Sequence, residues 1–173
     1  GQRALVTGAA TGIGRAVAMS LAAEGAKLAL WDVDGARLAA TAAELRAGGA
    51  EVTTAVLDVS DREAVAAAAE VARTALGGPV SLLVNNAGIG KLGALPEVAE
   101  EDFRRTLEVN VLGSFNCLQL LLDDLTAARG AVVNMASWFG KSGRPFAMSY
   151  SASKGAVIAM TQSAAHELAG RGV

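Results

Sequence analysis

Five apolar runs of strand length, Arg3–Thr7, Lys27–Trp31, Glu51–Leu57, Val80–Val84 and Ala131–Met135, recur along this 173-residue chain, each followed by a helix-type stretch. Short runs dominated by Val, Leu and Ala suit strands buried on both faces, whereas a one-sided strand would alternate apolar with polar residues. Parallel strands need a crossover between them, and the crossover helices then cover both faces of the sheet. The alternation therefore predicts an α/β fold, a doubly wound parallel sheet in three layers α/β/α, forming a single domain over residues 1–173.

The helical stretches carry their own punctuation. Gly25, Gly48-Gly49 and Gly77-Gly78 end three of them. Ser60-Asp-Arg-Glu63 reads as a capping box opening the third, which makes Glu63 structural. Glu100 to Ala127 reads as one long helix with a polar Asn110 between Val109 and Val111, a placement that predicts a bend or a bound water. The last helix is expected from Ser149 to about Ala169.

An open parallel sheet binds ligands beyond the carboxyl ends of its strands, and each run here ends in residues suited to that. The first breaks into Gly8-Ala-Ala-Thr11-Gly12-Ile13-Gly14 ahead of an Ala-rich helix. Strand, glycine turn and helix N-terminus make an anion site, because bare N–H groups and the helix dipole face a phosphate. The outer glycines are six positions apart where G-x-G-x-x-G has five, so that fingerprint matches loosely, and a tight turn without a ligand is the competing reading. The second run ends at Asp32, about 20 positions on, where a carboxylate accepts hydrogen bonds from an adenosine ribose and repels a 2′-phosphate. Thr11 supplies no cation to offset that repulsion, so NAD is favoured over NADP. Capping the helix that starts at Gly35 is the alternative role for Asp32, and Asp34 can fill it instead. Asp58 closes the third run, Asn85-Asn86-Ala87-Gly88 the fourth and Ser137 the fifth.

Ser137 also opens a segment that reaches Tyr150 and Lys154, an i, i+4 pair sharing one face of a helix. An ammonium about 5 Å from a phenol favours the phenolate by roughly 3 kcal/mol at an effective dielectric of about 20. Tyr150 then suits proton exchange with a carbonyl/alcohol pair, and Ser137 can aim its hydroxyl at the same oxygen. A Tyr-x-x-x-Lys pair is common by chance. Its weight comes from five features converging on one sheet edge.

Composition excludes several other chemistries. A net charge of −2 with scattered Lys and Arg leaves no basic stripe for nucleic acid. No apolar run reaches the roughly 18 residues that span a membrane, so a soluble, cytoplasmic protein is expected. Cys117 and His166 are the only residues of their types, which excludes an internal disulfide and argues against a Cys/His zinc site. Redox chemistry would then need an organic cofactor. His166 lies about 18 Å beyond Lys154 along a helix axis and is expected at the surface or in packing. The chain enters its first strand without a Met, and Val173 falls just past a helix end, so both ends read as cuts in a longer chain.

Thr7-Gly8-x-x-x-Gly12-Ile13-Gly14, Asn85-Asn86-Ala87-Gly88, Asn110, Ser137 and Tyr150-x-x-x-Lys154, in this order and spacing, resemble the short-chain dehydrogenase/reductase family nearly end to end. The resemblance implies a Rossmann-like NAD-binding domain. In it Gly8, Thr11, Gly12, Ile13 and Gly14 cradle the pyrophosphate, Asp32 holds the adenosine ribose, Asp58 with Val59 meets the adenine, and Asn86, Ala87 and Gly88 line the cofactor. It implies catalysis by Asn110, Ser137, Tyr150 and Lys154, without a metal. Tyr150 is then the acid/base, Ser137 orients the substrate oxygen, Lys154 favours the Tyr150 phenolate and with Tyr150 binds the nicotinamide ribose, and Asn110 holds the water of a proton relay.

The implied reaction interconverts a secondary alcohol and a ketone. Trp138-Phe139-Gly140-Lys141 resembles polyol and sugar dehydrogenases of the family, with 3-oxoacyl-thioester reduction as the alternative chemistry and a non-catalytic dinucleotide-binding module as the alternative of another class. Family members form homodimers or homotetramers on two long helices, here those of Asn110 and Tyr150. Leu118, Leu121, Leu122, Val157 and Ile158 suit burial there as well as in the core. The family also continues past the position of Val173, so the chain is expected to lack its C-terminal strands and substrate lid.

Overall fold

The computed structural model describes residues 1–173. Strands β1 (Arg3–Thr7), β2 (Lys27–Asp32), β3 (Val52–Val56), β4 (Leu82–Asn85) and β5 (Ala131–Asn134) form one sheet in the order β3-β2-β1-β4-β5. Every pairing is parallel. Successive side chains of a strand point to opposite faces, and the core divides accordingly. Ala4, Val6, Leu28, Leu30 and Val84 pack with Ala18 of helix α1 (Gly12–Ala23) and with Leu38 and Leu45 of α2 (Gly35–Ala47). Leu5, Ala29, Trp31 and Leu83 pack on the other face against Val65, Ala69 and Leu76 of α3 (Arg62–Leu76). The doubly wound, three-layered α/β fold read from the alternation is thus the one observed.

Chain order reverses beside β1. The second and third strands lie to one side of it and the fourth and fifth to the other. Loops leaving the carboxyl ends of β1 and β4 therefore run apart, and a crevice opens between them.

Two boundaries differ from expectation for local reasons. Ser60 does not cap α3, because its N–H and Oγ both bond to Asp58 Oδ1, at 2.9 and 2.7 Å. Asp61, next in line, caps the helix by accepting from Glu63 N and Ala64 N, at 3.0 Å each. The long helix expected from Glu100 is α4 (Glu100–Leu107), a π-helical turn at Glu108–Leu112, α5 (Gly113–Leu120) and α6 (Leu122–Ala128). A Cβ on Gly113 would sit 2.4 Å from Val59 Cγ2, so only glycine lets α5 descend onto the loop after β3. A short helix, α7 (Phe139–Ser142), precedes the final helix α8 (Met148–Leu168).

Leu121 and Val157 are buried in the chain's own core, which removes them from any subunit surface, whereas Leu118, Leu122 and Ile158 remain partly exposed. His166 is exposed. No helix is long and apolar enough to cross a membrane.

Cys117 on α5 is fully buried against the sheet, and desolvation pushes its thiol up to about 12. Because the thiolate is the reactive form, the native protein should leave an aromatic disulfide reagent unreacted at mildly alkaline pH and release one equivalent of thiol on unfolding in guanidinium chloride. Rapid reaction under native conditions would contradict the sealing of the sheet by α5.

Candidate active site at the carboxyl edge of the sheet

A cleft of about 400 Å³ occupies the crevice between β1 and β4. Of the residues expected to bind a cofactor, Gly8, Thr11, Gly12, Ile13, Asp32, Asp58, Val59, Asn86, Ala87 and Gly88 all line it. Gly14 lies behind the turn instead. A Cβ there would come 2.1 Å from Gly8 O, so its role is to let α1 press against the turn. Gly8 has a φ of 64°, and a Cβ on it would meet Asn86 Nδ2 and Ala87 Cα at 2.8 Å.

The two loops are laced together at their bases, before they part around the cleft. Asn86 Nδ2 donates to Thr7 O and Gly8 O, both at 3.0 Å. Thr7 Oγ1 accepts from Asn86 N at 3.1 Å and Ala87 N at 3.0 Å. Thr11 precedes α1 without a side-chain capping bond, and the first turn carries no acid. The leading N–H groups of α1 therefore remain for an anion, with the positive end of the helix dipole behind them.

Asp32 is fixed at the adjoining wall, its Oδ2 accepting from Ala10 N and its Oδ1 from Asp34 N, both at 2.9 Å. Asp34 caps α2 by accepting from Arg37 N at 3.0 Å, so the competing role for Asp32 is taken by its neighbour. Further along the cleft Asp58 is held by Ser60 and by Arg105 of α4, whose Nη2 donates to Asp58 Oδ2. Burial opposes ionisation of Asp58, but the bonds from Ser60 and Arg105 outweigh it and hold the carboxyl below the usual aspartate range.

Beside the cleft lie the four residues expected to be catalytic. Lys154 is 5 % exposed, its Nζ donating to Met135 O at 2.6 Å and lying 5.7 Å from the centroid of the Tyr150 ring. Burial lowers its pKa below the ordinary lysine value. Tyr150 is half-buried, meets Phe139 edge-on at 6.0 Å between ring centroids, and has no protein partner for its hydroxyl. Ser137 Oγ accepts from Phe139 N at 3.2 Å, which leaves its proton free to donate.

Asn110 sits on the π-helical turn. Its Oδ1 accepts from Ile89 N at 2.8 Å, and its Nδ2 donates to Ile89 O at 2.8 Å and Ser153 Oγ at 2.9 Å. The loop from Gly88 to Gly90 joins the two groups of residues. A Cβ on Gly88 would stand 3.2 Å from Asn110 Oδ1 and 3.4 Å from Lys154 Nζ, and one on Gly90 would stand 2.8 Å from the Tyr150 ring. The cleft therefore ends where the tyrosine and lysine begin.

Two participants were not foreseen from the residues. Ser153 accepts from Asn110 and donates to Tyr150 O at 2.8 Å, a place readable from its three-residue spacing from Tyr150. Arg105 reaches Asp58 across 47 positions of chain, and no local pattern marks that contact.

A family model described as short chain dehydrogenase matches residues 2–173. The chain is 45 % identical, over its whole length, to a 2-dehydro-3-deoxy-L-rhamnonate dehydrogenase (NAD(+)) of Sphingomonas sp. (strain SKA58). It is 44 % identical, again over its whole length, to a galactitol 2-dehydrogenase (L-tagatose-forming) of Cereibacter sphaeroides. It spans 68 % of each of those relatives. The crystal structure of a short chain dehydrogenase/reductase from Burkholderia phymatum in complex with NAD superposes with a TM-score of 0.94 at 40 % identity, over 98 % of this chain and 61 % of that one.

The Asp58 interactions set an acid dependence. Because the folded pKa lies below the unfolded one, the carboxylate's contribution to stability is complete above the ordinary value of 3.8 and is lost as pH falls through the lower folded value. Asp58 and Arg105 are 32 % and 43 % exposed, so solvent screening limits that contribution to about 1 kcal/mol. Asp58→Asn should accordingly melt below wild type at neutral pH, with the gap closing in acid. A gap independent of pH would contradict the assignment.

Proposed function

Because the chain belongs to the short-chain dehydrogenase family, we propose that it is an NAD-dependent oxidoreductase interconverting a secondary alcohol and a ketone, with a polyol or sugar-derived substrate. The observation that carries this reading is the buried Lys154 ammonium, which has one protein acceptor and lies between Tyr150 and the glycine loop of the cleft.

When bound, NAD supplies the hydride acceptor for oxidation, and its reduced form the hydride donor for reduction. The cleft suits it: the uncapped N–H groups of α1 and the turn from Gly8 to Ile13 face the pyrophosphate, and Asp32 accepts from the ribose hydroxyls. A 2′-phosphate would offer no such donor and would be repelled, which supports NAD over NADP.

Tyr150, its hydroxyl free of protein partners, takes the proton of the substrate hydroxyl in oxidation and returns it to the carbonyl oxygen in reduction. Ser137 donates its free proton to the same oxygen and orients it. Lys154 has two N–H groups left after Met135 O, one for the Tyr150 oxygen and one for a ribose hydroxyl. Both amide hydrogens of Asn110 are used by Ile89 and Ser153, so the relay water falls to its main-chain carbonyl, where Ser114 Oγ at 3.0 Å is the one side-chain donor.

Exposed Leu92, Trp138 and Phe146 stand on segments flanking Tyr150 and supply apolar surface for a substrate backbone. The reading extends to a cytoplasmic homodimer or homotetramer. A groove of about 350 Å³ between α5 and α8, lined by Phe115, Leu118, Leu122 and Met160, supports self-association.

Tyr150→Phe should lower turnover by roughly 10²–10⁴-fold while dinucleotide affinity stays near wild type. The measurement is NADH absorbance with the full-length gene product against polyols, sugar acids and acyl thioesters. Undiminished activity in the variant would remove Tyr150 from the mechanism. Preference for the thioesters would replace the sugar reading, and binding without turnover on any substrate would favour a regulatory module.

A further inference from the structure

The far end of the cleft holds a polar cluster built from two segments distant in the chain. Asp58 Oδ1 takes both Ser60 donors, and Oδ2 takes Arg105 Nη2. Arg105 Nη1 also donates to Ser60 Oγ at 2.8 Å and to Glu108 Oε2 at 3.3 Å. The guanidinium thus bridges α4 to the loop after β3. Its bond to Asp58 leads the causes that raise its own pKa.

Around this cluster the cleft walls are apolar, made by Val33, Leu57, Val59 and Val109. A flat ring sliding between those walls would meet the Asp58 carboxylate as the acceptor on this rim. A carboxylate accepts from an amine and repels a carbonyl oxygen, but only when its plane is held toward the ring. Ser60 fixes one oxygen, and Arg105 alone fixes the other.

We infer that Arg105 is a positioning residue for base recognition, orienting Asp58 so that the cleft selects a dinucleotide with a 6-amino purine over one with a 6-oxo purine. The inference rests on the dinucleotide reading above and adds to it a residue that does its work without touching the hydride-transfer centre. Losing one charge-assisted hydrogen bond corresponds to roughly tenfold in affinity, which sets the scale of the selectivity.

The test compares reduced NAD with reduced nicotinamide hypoxanthine dinucleotide, by fluorescence titration of wild type, Arg105→Ala and Arg105→Gln, with folding checked by thermal melting. Arg105→Gln retains a polar side chain should the alanine variant fold poorly. The expected result is a roughly tenfold wild-type preference for the 6-amino ligand that falls to about twofold or less in either folded variant, through weaker binding of that ligand alone. Asp58→Asn, whose amide can donate to a 6-oxo group, should shift the preference toward the hypoxanthine ligand.

An unchanged preference in the Arg105 variants, an equal loss for both ligands, or no preference in wild type would overturn the role of Arg105 and leave the dinucleotide reading standing. Failure of wild type to bind either ligand would overturn that reading and this inference with it.

Discussion

A buried ammonium is costly unless oxygen atoms surround it, and Lys154 has one protein acceptor, Met135 O, at 2.6 Å. Its folded pKa lies below 10.5, so in the window between the two values the unfolded chain holds that proton more readily and stability rises with pH. A charge kept at such a cost is placed rather than tolerated. The neighbourhood is shaped for it: a Cβ on Gly140 would stand 2.5 Å from the backbone carbon of Lys154, so glycine lets α7 settle against α8. Phe139 is thereby brought edge-on to Tyr150. On the cleft side a Cβ on Gly88 would stand 3.2 Å from Asn110 Oδ1 and 3.4 Å from Nζ, so glycine eases the approach of that loop. In the proposed function the further acceptors are the Tyr150 oxygen and a ribose hydroxyl.

The π-helical turn at Glu108–Leu112 follows from the same demand. An ordinary helix through this segment would keep a residue like Asn110 in register with α4 and α5, whereas a π turn changes the rotation by one residue and redirects the side chain. Here the amide turns toward Ile89 and Ser153. Ser153 passes the connection to the backbone oxygen of Tyr150. One irregularity thus ties the cleft loop to the helix of the tyrosine and lysine without a mobile side chain in between, which suits a site whose chemistry depends on fractions of an ångström.

Much of this was legible from residue order alone, because a doubly wound sheet leaves its ligand-facing residues in fixed places, at strand ends, where apolar runs stop. Asp32 and Asn86 were found that way. What escaped depended on competition or on distance along the chain. Ser60 has the right type and spacing for a capping box, yet Asp58 two residues earlier claims both of its donors, and a capping rule that looks only forward misses that. Leu118 and Leu121 lie less than a helical turn apart yet differ in burial, since the break at Leu121 turns one into the core and leaves the other at a groove. Arg105 carries no local signature, and its partner is supplied by the fold.

Along the proposed dinucleotide site the charges of the cleft change sign from one end to the other. Near Gly12 the helix N-terminus offers partial positive charge and unpaired donors, where an anionic pyrophosphate belongs. At Asp32 the sign reverses, and both oxygens are pinned by backbone N–H groups, so the carboxylate cannot swing aside to relieve repulsion. At Asp58 a second carboxylate pairs with Arg105, which also meets Glu108, so this end of the cleft is held by a shared guanidinium. Asp32 has no cationic partner, and in the proposed function it stands at the ribose. A neutral diol would satisfy such a carboxylate, whereas a 2′-phosphate would be repelled by it.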